Sequence, residues 1–245
     1  MTQLQPARAI GIIGGMGPAA TADLFTKILA ATGATRDQDH LRLIVDSNPA
    51  VADRNAALDD TGPSPGPILA SMAAGLERAG ADLIVMACNT AHAWQNDIEA
   101  AITVPFVSII DATVEATLAR APDARRVGVF AATGCVRAGL YQRAFAARGV
   151  ETAMTEGAAH VLFMDLIYRI KGGDTGADVR RALRGIAESF ADVDALVAGC
   201  TEAPLALDQR DVSRPLIDSA MALAERAVLI AGGPRASPRE SGGPA

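Results

Sequence analysis

The chain has 245 residues, half of them hydrophobic, which suits one large or two small globular domains of roughly 100–150 residues each. Its formal net charge is −6 and its arginines are scattered, which argues against nucleic acid or an anionic membrane as partner and for a small molecule. Met1–Arg8 carry no basic-then-apolar leader, glycines and Pro18 interrupt the next apolar stretch, and Cys88, Cys135 and Cys200 make no disulfide framework. Free thiols in the cytoplasm are therefore expected.

Short runs of Ile, Val and Leu alternate with longer stretches of helical period, the pattern of βα units on a parallel sheet. The first series predicts strands over 9–13, 41–46, 82–87 and 105–109, with helices starting near Pro18, Gly66, His92 and Asp111. Pro18 suits a first helical position, where its missing N–H costs nothing. After the Ala121-Pro122-Asp123 break a second series predicts strands over 126–131, 150–153, 194–198 and 215–217. Its helices fall at 136–147, 158–170, 177–190 and 219–230.

Each series places a cysteine directly after an apolar strand, in LIVMACNT and in ALVAGCTE, so the chain reads as two half-chains of one plan. The expected division is a first lobe over 1–113, joined by a C-terminal helix at about 217–231, and a second lobe over 114–216. The tail over 232–245 has no apolar side chain larger than Ala or Pro to repay the entropy of ordering, and disorder is expected there.

Ligands of open parallel sheets collect beyond the carboxyl ends of the strands, where loops enter helix N-termini. Cys88 and Cys200 both fall there, and the positive helix end is expected to lower each thiol below its free pKa of about 8.5 and make it a base. One such cysteine reads equally well as a small buried hydrophobe. Two on the same plan, followed by the polar pairs Asn89-Thr90 and Thr201-Glu202, point to a paired device. Inverting a carbon centre needs one proton to leave a face and another to reach the opposite face, which a thiolate and a thiol supply together. Asn89, Thr90 and Thr201 are then donors for the developing enediolate.

GIIGGMGPAAT, QDHLRLIVDSNP, the Asp53-Arg54 pair, MACNTAHAWQNDI, VFAATG, GLYQRAF, IKGG and AGCTEAPL follow one another from about residue 11 to 231. On these motifs the sequence resembles the aspartate/glutamate racemase superfamily, more closely its aspartate racemase branch. The resemblance implies an α/β fold of two similar lobes, each a mostly parallel sheet flanked by helices, with the active site in the cleft between them. It implies a cofactor-independent racemase of aspartate or glutamate, acting as a homodimer. Cys88 and Cys200 become its acid/base thiols, Cys88 for the D-enantiomer and Cys200 for the L-enantiomer. Met16, Asn89, Thr90, Thr133 and Thr201 would line the substrate site, with Glu202 supporting the nearby thiol.

The resemblance also puts Arg54 and Lys171 on the substrate's side-chain carboxylate, a task suited to a guanidinium and an ammonium. Taken alone, Arg54 is equally a loop arginine and Lys171 a cation near a helix C-terminus. The sequence departs from the family pattern at Asn55 and Cys135, where Thr is usual, and at Ala87, where Pro is frequent. Cys135 reads better as a small buried residue than as a third catalytic thiol.

Neither lysine, Lys27 or Lys171, has a phosphate-binding setting for pyridoxal phosphate, and His40, His92 and His160 show no ligand spacing, so neither cofactor nor metal is expected. Gly15-Met16-Gly17-Pro18-Ala19-Ala20 also fits G-x-G-x-x-A, with Asp46 as a ribose partner, and offers an NAD-dependent oxidoreductase as rival. That reading leaves both cysteine motifs unused. A broad-specificity racemase of the same family and a non-catalytic dicarboxylate-binding protein are the remaining alternatives.

Overall fold

The computed structural model describes residues 8–232; the expected tail, apart from Gly232, and the first seven residues lie outside them. Strand β1 (Ile10–Gly14) reads IGIIG and is buried along its whole length, as a strand covered on both faces requires. It leads into α1 (Pro18–Thr32), with Pro18 at the start of the helix and Gly33 closing it in the left-handed conformation. Then follow β2 (Leu43–Ser47), α2 (Arg54–Leu58), α3 (Gly66–Arg78), β3 (Leu83–Met86), a 3-10 turn (Thr90–Trp94), α4 (Gln95–Glu99), β4 (Phe106–Val107) and α5 (Ile109–Arg120). The second half contains β5 (Arg126–Phe130), α6 (Thr133–Arg137), α7 (Leu140–Ala146), β6 (Glu151–Met154), α8 (Gly157–Lys171), α9 (Ala177–Ser189), β7 (Ala195–Ala198), β8 (Leu216–Asp218) and α10 (Ser219–Ala231).

The strands form two four-stranded sheets with the orders β2-β1-β3-β4 and β6-β5-β7-β8, and every pairing is parallel. The two halves thus repeat one topology, and in both the strand order reverses at the first strand of the half, β1 or β5. A crevice opens at such a switch point.

Three local expectations change. The helix expected over 136–147 is two helices, α6 and α7, broken at Gly139, which adopts φ 60°. A side chain there would be strained by that φ and would press on Arg143 at 2.8 Å. The helix expected from His92 begins as a 3-10 turn, and β4 is only two residues long because Ser108 already caps α5, accepting from the Asp111 amide. Helix α2 was not visible as a period. Its five residues start at the Asp53 side chain, which accepts from the Ala56 amide at 2.8 Å.

One apolar cluster spans both halves, containing Ile12 and Val85 of the first sheet, Val129 and Val197 of the second, and Leu223, Ala224, Ala227 and Val228 of α10, while a separate cluster packs within each half. The alanines of α10 let it approach both α1 and α5 closely. Lys27 of α1 pairs with Asp23 and with Asp218, whose carboxylate also caps α10, so the return of the last helix onto the first half is anchored at its N-terminus.

Candidate active site

Cys88 follows β3 and Cys200 follows β7, the equivalent strands of the two sheets, and both line one cavity of about 90 Å³. Pockets for drug-sized ligands hold roughly 300–1,000 Å³, so this one takes a small molecule. Its wall also contains Met16, Arg54, Asn89, Thr90, Lys171, Thr201 and Glu202, all singled out in the sequence. A further hollow of about 230 Å³ adjoins it across Met16, Arg54, Lys171 and Glu202.

Glu202 is the hub. It is 3% exposed, and its Oε1 accepts from Lys171 Nζ at 2.6 Å and from the Gly17 amide at 3.2 Å. Its Oε2 accepts from Cys200 Sγ at 3.1 Å and from the Thr201 hydroxyl at 3.3 Å. Burial opposes the Lys171 ammonium, yet the Glu202 carboxylate outweighs it and holds the lysine above its ordinary pKa. Arg54, at the start of α2, donates to the carbonyls of Val51, Ala52 and Met16 at 3.3, 3.0 and 3.3 Å. Lys171 reaches that Met16 carbonyl too, at 3.2 Å, so both cations converge on it.

The electrostatics of Cys200 reverse the sequence-based expectation. The segment after it is a three-residue 3-10 turn (Ala203–Leu205) rather than a long helix. Burial first, and then the Glu202 charge, push the thiol well above its ordinary pKa. Cys200 therefore holds its proton in the free protein. Cys135 lies in the core at 1% exposure, outside the cavity wall, and burial followed by the proximity of Cys88 raises it as well.

Two further residues sit otherwise than expected. Thr133 does not line the cavity; it begins α6 and its hydroxyl pairs with His160 Nε2 at 2.9 Å, leaving Ala132 at the wall. Asn89 lines the cavity, but its side-chain amide faces the contact between the halves, donating to Ser219 Oγ at 3.1 Å and accepting from Tyr141 Oη at 2.6 Å. Thr90 is buried at the wall, and its hydroxyl has no hydrogen-bond partner among the described residues.

Residues not foreseen complete the pocket. Met164, Ile167 and Tyr168 form its apolar side, and with Lys171 they share one face of α8 at helical spacing, a signal present in the sequence but indistinguishable there from a core-facing stripe. Asn55 accepts from the Gly134 amide at 2.7 Å and so supplies a cap to α6 from the opposite half. His92 is buried, and its ring bridges the Cys88 carbonyl and the Ile109 amide, at 2.8 and 3.0 Å.

The dinucleotide reading meets a physical obstacle. A pyrophosphate would need the amides at the start of α1, where the Gly17 N–H is already given to the buried Glu202 carboxylate. A like charge stands where the phosphates would lie.

Two like-ordered parallel sheets, each followed by a cysteine that lines one small cavity, define a two-lobed α/β protein. The Asp/Glu/Hydantoin racemase family model matches residues 13–227, and the chain belongs to that family. It is similar to the Picrophilus torridus aspartate racemase, with 30% identity and a TM-score of 0.84 over 94% of this chain and 96% of that one. An aspartate racemase homologue from Pyrococcus horikoshii shares 28% identity and a TM-score of 0.73 over 91% and 99% of the two chains. The broad specificity amino-acid racemase RacX of Bacillus subtilis is 26% identical over 89% of this chain and 96% of its own.

Proposed function

We propose that this racemase interconverts the enantiomers of aspartate or glutamate by passing the α-proton between Cys88 and Cys200. The observation that carries the reading is that the two thiols, at equivalent positions of the two halves, open into one cavity sized for a small substrate. Cys200, which holds its proton beside Glu202, serves as the acid in one direction of the reaction, with Cys88 as its base. The Cys88 thiolate takes the α-proton from one face, the C–H electron pair moves into an enediolate, and the Cys200 S–H delivers its proton to the other face. The enzyme is left with Cys88 protonated and Cys200 ionised, ready for the reverse reaction. On the family resemblance, Cys88 attends the D-enantiomer and Cys200 the L-enantiomer.

The unpaired Thr90 hydroxyl is a donor for the enediolate, the Thr201 hydroxyl being engaged with Glu202, and Arg54 with Lys171 favours a second carboxylate on the substrate. Both lysines are occupied, Lys27 by Asp23 and Asp218 and Lys171 by Glu202, which supports chemistry without a Schiff base or cofactor. The apolar wall of Met164, Ile167 and Tyr168, together with the broad specificity of the Bacillus subtilis relative, favours a wider amino-acid range as the second reading. The protein is proposed to work in the cytoplasm, where thiols stay reduced, as a homodimer of two-lobed chains divided near residues 113 and 217.

The test incubates the purified protein, without pyridoxal phosphate, with each enantiomer of Asp, Glu and several neutral amino acids in D₂O. Chiral chromatography and α-deuterium incorporation are read together. Inversion with one solvent deuterium per turnover is expected for the acidic pair. Binding of these amino acids with no α-exchange would overturn the racemase reading in favour of a binding protein.

A further inference from the structure

We propose that His92 is a positioning residue that fixes the Cys88 turn to the N-terminus of α5 and thereby aims the Cys88 thiol into the cavity. Resting as it does on the catalytic reading of Cys88, the proposal adds a residue outside that cavity's wall.

Both ring nitrogens are spent on the backbone. Nε2 lies 3.0 Å from the Ile109 amide, which can only donate, so Nε2 is the acceptor and the proton sits on Nδ1. Nδ1–H then donates to the carbonyl of Cys88 itself at 2.8 Å. Ile109 is the first residue of α5, and the Ser108 cap serves the Asp111 amide instead, so without the ring the buried Ile109 N–H would lose its partner. Holding the Cys88 carbonyl fixes the plane of the Cys88–Asn89 peptide and with it the direction of the Cys88 side chain. The ring is itself held, 4% exposed and tilted at 46° against Phe106 with ring centroids 5.4 Å apart. Burial keeps it neutral, its pKa lowered to about 4, so the acceptor at Nε2 persists through neutral pH.

A histidine that merely filled the core would tolerate any side chain of similar volume. Three substitutions separate the roles. His92→Phe fills the space and makes neither bond. His92→Gln can reach Ile109 but not serve Cys88, and His92→Asn places an amide N–H where Nδ1 stood and keeps the bond to Cys88. Misplacement of a reacting group by about 1 Å costs on the order of 10²-fold. The Phe and Gln variants are therefore expected to lose at least about tenfold in kcat with little change in KM, and the Asn variant to retain most of it.

The second readout is the iodoacetamide modification rate of each cysteine, followed by mass spectrometry. A positioning role changes the rate at Cys88 and leaves Cys200 as in the unmodified protein. Unchanged kcat in folded His92→Phe, or parallel changes at both cysteines, would overturn the proposal; should the Phe variant not fold, Gln against Asn decides the same question. Full activity in Cys88→Ser would instead sink the catalytic reading and leave the modification comparison standing.

Discussion

The Cys200 thiol donates to Glu202 across 3.1 Å while the other oxygen of the same carboxylate accepts from Lys171 at 2.6 Å. Glu202 raises the Cys200 pKa, second only to burial, so Glu202→Gln is expected to lower it. The pH at which Cys200 becomes reactive to iodoacetamide should fall in the variant yet stay above that of an ordinary thiol, because burial remains. An unmoved profile would remove Glu202 from the control of this thiol.

Cys88→Ser and Cys200→Ser should each depress racemisation by about 10²–10⁴-fold, the usual contribution of a positioned acid or base. Cys135→Ala, in the core and outside the cavity, should leave kcat within a few-fold of wild type. A polarimetric assay on all three variants checks the assignment, and wild-type rates in either serine variant would refute it.

Arg54 and Lys171 do not predict the same phenotype. Among the described residues Arg54 donates only to carbonyls, so Arg54→Ala removes a charge without stranding another there, and KM should rise about tenfold or more for Asp and Glu and little for neutral substrates. Lys171→Met leaves the buried Glu202 carboxylate unpaired and should impair every substrate. The double variant Lys171→Met/Glu202→Gln removes that confusion, and steady-state kinetics on acidic and neutral substrates should then show the acid-selective loss. Equal losses across substrates in Arg54→Ala would undo the case for an acidic substrate.

Gly134 joins the halves. A Cβ there would meet Asn55 Oδ1, Leu58 Cδ1 and Thr90 Cγ2, each at 2.8 Å. Gly134→Ala should push the first half away from α6 and raise KM more than it lowers Tm. Asn55→Ala, which removes the cap on the Gly134 amide, should cost about 1 kcal/mol of stability in denaturant unfolding. A KM equal to wild type in Gly134→Ala would show that this contact does not set the cleft.

His92 also makes stability depend on pH. Its folded pKa is lowered, chiefly by burial, from 6.5 to about 4, so between these values the unfolded chain binds the proton more readily. Its contribution is complete above pH 6.5 and is lost as pH falls towards 4, by about 3 kcal/mol in all. Urea unfolding at pH 7 and pH 4.5 should show a smaller drop in His92→Asn than in wild type; equal drops would assign the acid sensitivity elsewhere.

The strands and the long helices were legible from local pattern, because apolar runs and helical periods report burial directly and Pro18 marks a helix start. The repeated placement of a cysteine after an apolar strand was legible for the same reason, and it carried the pairing of Cys88 with Cys200. The break at Gly139 was not, because a glycine inside a helical period is compatible with either a continuous or a divided helix until its φ is set. Five-residue α2 is too short to show a period.

What the linear order of residues determined was the fold class, the duplicated plan and the two cysteines that follow equivalent strands. Only the tertiary structure decided how the candidate groups are poised: that Asn89 turns to Tyr141 and Ser219, that Thr133 turns to His160, and that Cys200 faces a carboxylate rather than the positive end of a helix. Burial and Coulomb interaction depend on distances between residues as remote in the chain as Gly17, Lys171 and Glu202. No local pattern encodes those distances.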